Sequence, residues 1–118
     1  MSKILLIDDD EDMLAMTSRW LNKAGYDVTE ATSGKAALDI LKGEKPDLIL
    51  LDYAMPEMDG PAVLSAIRSD ESTKNIPVLY RTGMEDGTIE TGGAGQANGI
   101  VPKSDGKPGL MRAVENLL

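Results

Sequence analysis

The sequence predicts an α/β fold: a single doubly wound, five-stranded parallel sheet with five flanking helices, the fourth of them weak and glycine-rich. Five short apolar runs alternate with amphipathic stretches of helical period, and no repeat or linker interrupts the alternation. Strand and helix alternating in this way place parallel strands in one sheet with helices on both faces.

Ile4 to Ile7 reads as a buried strand. "MLAMTSRWLNKAG" follows as a helix with Met13, Leu14, Trp20, Leu21 and Ala24 on its inner face, and Gly25 suits its stop. "YDVTEA" alternates like a strand, and "GKAALDILKG" reads as a helix turning Ala37, Leu38 and Leu41 inward. A third strand spans 47–52. A helix runs from about Pro61, a residue suited to the first helical turn, to Ser69, with Val63, Leu64 and Ile67 inward. "IPVLYRT" is the fourth strand. Six glycines fall in the 17 residues from Gly83 to Gly99. A helix expected there, at Glu85 to Ala97, is short or frayed, because Gly92, Gly93 and Gly95 each cost about 1 kcal/mol relative to alanine. "GIVPK" is the fifth strand, and "PGLMRAVENLL" a last helix packing Leu110, Met111, Val114 and Leu117.

At 118 residues the chain is expected to be one domain over 1–118, with no second domain after it. The opening "MSKILLIDDDED" lacks the form of a signal peptide, and no apolar run approaches the roughly 20 residues of a membrane span. Without cysteine there is neither a disulfide framework nor a thiolate metal site, and a cytoplasmic address is expected. A net charge of -8 argues against direct nucleic-acid binding, and four aromatic residues (Trp20, Tyr26, Tyr53, Tyr80) offer no stacking platform for bases.

Ligands of such sheets bind beyond the carboxyl ends of the strands. There the sequence sets Asp8 and Asp9 after strand one, Asp52 after strand three, Thr82 after strand four and Lys103 after strand five. Three carboxylates on one rim repel unless a cation joins them. With oxygen ligands and no histidine or cysteine, that cation is a hard one, Mg2+ or Mn2+ in its place. Such a site suits phosphoryl transfer onto a carboxylate, with Lys103 and Thr82 holding the phosphoryl oxygens. The neighbouring Asp10, Glu11 and Asp12 suit a helix start instead. Asp59-Gly60 is a turn that shapes a loop, and "SGKAA" at 33–37 lacks the upstream glycine and the hydroxyl residue of a phosphate loop.

The stretches "LLIDDD", "LLDYAMPEMDG", "VLYRTG" and "GIVPKS" resemble the receiver domain of bacterial two-component response regulators along the whole chain. That resemblance implies the flavodoxin-like strand order 2-1-3-4-5, for which a member of the family is itself a standard example. It implies Asp52 as phospho-acceptor, with Asp9, Asp52 and the backbone carbonyl of Ala54 on Mg2+ and Asp8 acting through water. Thr82 is then the switch hydroxyl, and Lys103 the partner of Asp52 or its phosphate. A histidine kinase or phosphotransfer protein is the implied donor. The downstream protein target is unspecified, and the chain is a monomer or a phosphorylation-dependent dimer that contacts neither membrane nor nucleic acid. Phosphorylation is expected to move Thr82 and the following loop, altering the face made by the fourth helix, fifth strand and fifth helix.

Several positions depart from the family pattern. Ile100 stands where an aromatic switch residue is usual. Pro102 precedes Lys103 and Ser104 follows it, which removes the usual lysine–proline bond. Arg81 occupies a strand position that is usually apolar, and reaches either a sheet edge or an acidic neighbour. The resemblance also implies that the residues two beyond the acceptor and the threonine influence water access; here they are Ala54 and Met84, which cannot orient an attacking water, so slow self-dephosphorylation is expected.

Two other functions compete. Asp8-Asp9-Asp10 has the spacing of a haloacid dehalogenase-type phosphohydrolase, but Glu11 and Asp12 and the missing late acidic pair oppose it. A phosphorylation-independent, receiver-like interaction module is favoured by Ile100 and opposed by the completeness of the five site positions.

Overall fold

The computed structural model of the chain describes residues 2–83 and 97–118. Its parallel strands are β1 (Lys3–Ile7), β2 (Asp27–Ala31), β3 (Leu48–Asp52), β4 (Val78–Thr82) and β5 (Gly99–Pro102). They form one sheet in the order β2-β1-β3-β4-β5. The helices are α1 (Glu11–Lys23), α2 (Gly34–Leu41), α3 (Gly60–Ser69) and α4 (Gly106–Leu117), the last entered through a short 3-10 turn at Lys103–Asp105. The glycine-rich helix expected before β5 lies, but for its final residue, outside the described residues.

The central strands read as continuous apolar runs because both faces are covered. Leu5, Ile7, Ile49, Leu51, Val78 and Tyr80 pack against α2 and α3. Ile4, Leu6, Leu48, Leu50 and Leu79 pack against Leu14 and Leu21 of α1 and Leu110 and Val114 of α4. Each fully buried side chain of this size contributes about 1.5–3 kcal/mol, so the aliphatic sheet is the main source of stability. Met111 and Leu117 are half-buried at the margin of the second layer.

The inner face of α1 departs from expectation. Ala24 is exposed and forms the C-cap, while Thr17 and Ser18 are buried in the face toward the sheet. Asp10 is the N-cap: its carboxylate accepts from the backbone N–H of Asp12 at 3.0 Å and of Met13 at 3.2 Å. These bonds satisfy donors that the first turn leaves unpaired.

At the other end of the sheet, Arg68 of α3 donates from Nη1 to the carbonyl of Ile76 at 2.7 Å and from Nη2 to Asn98 Oδ1 at 3.1 Å. The same Asn98 oxygen accepts from the Val78 N–H at 2.9 Å. The start of β4 is thereby tied both to α3 and to the approach to β5.

The β3–α3 loop is shaped by two backbone constraints. Glu57 has a φ of 65°, the left-handed region that favours glycine or asparagine. Gly60 lies so close to β3 that a Cβ there would meet Asp52 O, Tyr53 Cα and Tyr53 O, each at 2.9 Å. Asp59 caps α3 by accepting from the Ala62 N–H at 3.0 Å. Glu57→Gly is therefore expected to stabilise the fold by about 1 kcal/mol, and Gly60→Ala to destabilise it by about 2 kcal/mol or more. Urea unfolding of the two variants beside the wild type measures both.

Candidate phosphoryl-transfer site

The strand ends bring the predicted residues together. Asp8 follows β1, Asp52 closes β3, and each is almost wholly buried; Asp9 is exposed at the rim. One carboxylate oxygen from each of Asp8, Asp9 and Asp52 lies within 4.8 Å of the others. Lys103, immediately after β5, places Nζ 3.2 Å from Asp8 Oδ2 and 3.5 Å from Asp52 Oδ1. The expected partner of the lysine was Asp52; Asp8 is the nearer carboxylate. Asp8 Oδ1 accepts from the Asp10 N–H at 3.0 Å, which fixes the rotamer of the buried acid at the entrance to α1. Thr82 is buried at the end of β4, paired in register with Pro102, the residue before Lys103. Ala54 is exposed in the β3–α3 loop, while Met84 lies outside the described residues.

Arg81 supplies a group whose destination sequence reading left open. It lies beside Asp52 in the β3–β4 register, on the α1 side of the sheet, and its residue is only 2% exposed. It reaches no sheet edge and, among the described residues, makes no direct ion pair with an acid. Its Nη1 instead donates to Thr17 Oγ1 of α1 at 2.8 Å. Sequence reading missed Thr17 because a hydroxyl at an inner helical position looks like an imperfection until a buried donor faces it.

Burial pushes the Asp52 carboxyl up to about 7, and the charge of Asp8 adds to this; Lys103 opposes it, and hydrogen bonding with Asp9 and Asp8 favours the protonated form again. Without metal, the site resolves its excess of negative charge by retaining a proton. A hard divalent cation would do so by displacing it. The donor set is all oxygen, three carboxylates meet on one rim, and one lysine is their nearest cation, so the residues fit such an ion.

The third acid of the dehalogenase-type spacing, Asp10, is committed to capping α1, and this weighs against that rival. The profile of the response regulator receiver domain matches residues 4–115. The chain belongs to that family. Among curated relatives, the DNA-binding dual master transcriptional regulator RpaA of Synechocystis is 42% identical over 84 residues, covering 71% of this chain and 35% of the regulator. The chain spans between 18% and 35% of the length of the first three curated relatives it matches. Among solved structures, the chemotaxis response regulator CheY4 of Vibrio cholerae superposes with a TM-score of 0.93 at 30% identity, covering 100% of this chain and 99% of that one. The response regulator TrrA of Thermotoga maritima, in complex with Mg2+ and BeF, gives 0.88 at 27% identity and covers 100% of both chains.

Receiver domains are phosphoryl-accepting switches of two-component signalling; they bind Mg2+ and work with histidine kinases or phosphotransferases, and are signalling proteins before they are enzymes. Among the described residues no helix is long and apolar enough to cross a membrane.

The raised Asp52 carboxyl sets a pH dependence. Its ordinary value near 4 applies in the unfolded chain, so between about pH 4 and pH 7 the native state holds more protons and stability falls as pH rises. In chelator, Asp52→Asn is expected to be more stable than the wild type above neutrality, by about 2–4 kcal/mol, with the difference vanishing near pH 4. Thermal melts across that range with and without EDTA measure it.

Proposed function

We propose that this receiver domain accepts a phosphoryl group on Asp52 and relays that event to a partner protein. The observation that carries the reading is the meeting of Asp52 with Asp8, Asp9 and Lys103 at the ends of strands far apart in sequence.

Asp52 Oδ attacks phosphorus in line with the leaving group of the donor. A P–O bond to Asp52 forms as the donor's bond to phosphorus breaks, and the electron pair departs with the donor imidazole or, in vitro, with acetate. Asp9, Asp52 and the Ala54 carbonyl are the proposed ligands of Mg2+, with Asp8 acting through water; Mn2+ is expected to substitute. When bound, the ion neutralises the charge that develops on the phosphoryl oxygens. Lys103 moves its charge from Asp8 and Asp52 toward the phosphoryl group, and Thr82 donates its hydroxyl to a phosphoryl oxygen. The proposed donor is a histidine kinase or phosphotransfer protein in the cytoplasm. The output is a protein contact made by the surface beyond β4, with the domain acting as a monomer or a phosphorylation-dependent dimer.

Intact mass after incubation with acetyl phosphate and Mg2+ tests the reading. A gain of one phosphoryl group is expected, absent in Asp52→Ala and absent with EDTA. No gain by a folded protein would favour the phosphorylation-independent interaction module, the reading to which Ile100 points. Neither Ala54 nor Met84 carries a group that could orient an attacking water, so the phosphorylated form is expected to persist for minutes or longer. A decay within seconds, followed by the same mass measurement, would contradict this.

A further inference from the structure

The guanidinium of Arg81 is a permanent positive charge placed inside the apolar layer between the sheet and α1. A buried charge is costly unless it is paired and hydrogen-bonded. Here its bond to Thr17 Oγ1 is one neutral partner, and its Nε has no hydrogen-bond partner among the described residues. What compensates it is proximity to the acids. Asp52 and Arg81 are register partners on adjacent strands, and their side chains leave the same face. Asp8 comes one residue after Ile7, whose partner on β3 is Leu51, so the row Asp8, Asp52, Arg81 runs across three neighbouring strands. Burial pulls the Arg81 guanidinium below its ordinary range, and the charges of Asp8 and Asp52 pull it back.

We propose that Arg81 is an internal counter-cation of the acidic site, a positioning residue that lowers the site's resting affinity for divalent metal. This role rests on the reading of Asp8, Asp9 and Asp52 as a divalent-cation site. Three carboxylates facing Lys103 alone carry two net negative charges, the complement of one Mg2+. With Arg81 behind them they carry one. The guanidinium cannot be shed by deprotonation, since arginine stays charged in proteins. Metal therefore binds the resting site weakly. It binds better once a phosphoryl group adds negative charge, so that metal and phosphoryl occupancy reinforce one another. Thr17 sets the distance: by holding Nη1 toward α1 it keeps the guanidinium from closing onto Asp52 and Asp8 as a direct ion pair.

Mg2+ titration of the whole chain by calorimetry, above neutral pH and at fixed ionic strength, decides the matter with two variants of opposite expected sign. Arg81→Met removes the charge at similar volume and is expected to bind Mg2+ about tenfold more tightly. Thr17→Val breaks the same hydrogen bond but keeps the charge and frees it toward the carboxylates; it is expected to bind less tightly. A merely structural role would move both variants the same way, since both lose the Arg81–Thr17 bond. Equal or weaker binding by a folded Arg81→Met overturns the proposal, as does tighter binding by Thr17→Val. Should Arg81→Met fail to fold, Thr17→Val decides alone, and unchanged affinity then also overturns it. Absence of any binding by the wild type would overturn the divalent-cation reading itself, and the role of Arg81 with it.

Discussion

Mutual repulsion among three carboxylates whose oxygens lie within 4.8 Å of one another is the constraint to which the upper half of this molecule answers. Nothing in the hydrophobic layers requires Asp8 and Asp52 to be buried. Their burial is a cost that the aliphatic sheet supports, as strands buried on both faces can. The relief comes from several directions at once. Lys103 bridges Asp8 and Asp52 from just after β5, the Asp10 N–H donates to Asp8, and Arg81 stands beside Asp52 in the register of the sheet. Burial first, and the charge of Asp8 after it, still push the Asp52 carboxyl up to about 7. A site left short of positive charge in this way is prepared for a metal ion.

The parts of the molecule governed by period and by strand-end position were legible in the sequence. Ile4 to Ile7 and Leu48 to Leu51 announce buried parallel strands, and the acids that close them announce the rim. The acids Asp10 to Asp12 were legible as a helix start, although the apolar period by itself places the first turn of α1 only at Met13. Asp10 accepts from the N–H groups of Asp12 and Met13, so the helix begins at Glu11. Ala24 fits the apolar stripe of α1 by spacing but falls at the C-cap, where the chain has already turned out to solvent. The pairing of Arg81 with Thr17 joins residues 64 positions apart, and no local pattern carries that information.

The two faces of the sheet are not equivalent. Toward α2 and α3 the packing is apolar up to the rim, and near it Tyr53 and Tyr80 meet edge to face with centroids 5.1 Å apart. Ile100, the register partner of Tyr80, packs on this side as an aliphatic residue. Bulk that the family pattern places on β5 thus stands on β4 and on the residue after Asp52. Toward α1 the rim is polar, with Thr17 of the helix accepting from the buried Arg81 and Ser18 buried next to it in the chain.

The fastening of β4 at its beginning has a mechanical corollary. Val78 is held through Asn98, and Asn98 through Arg68, whereas four residues later Thr82 stands at the reactive rim. A load applied at Thr82 therefore meets a strand held along its ladders with β3 and β5 and fastened once more at its far end. The Arg68–Asn98 clasp, at the end of the sheet away from the acids, thereby keeps the beginning of β4 seated on α3 whatever happens at the rim.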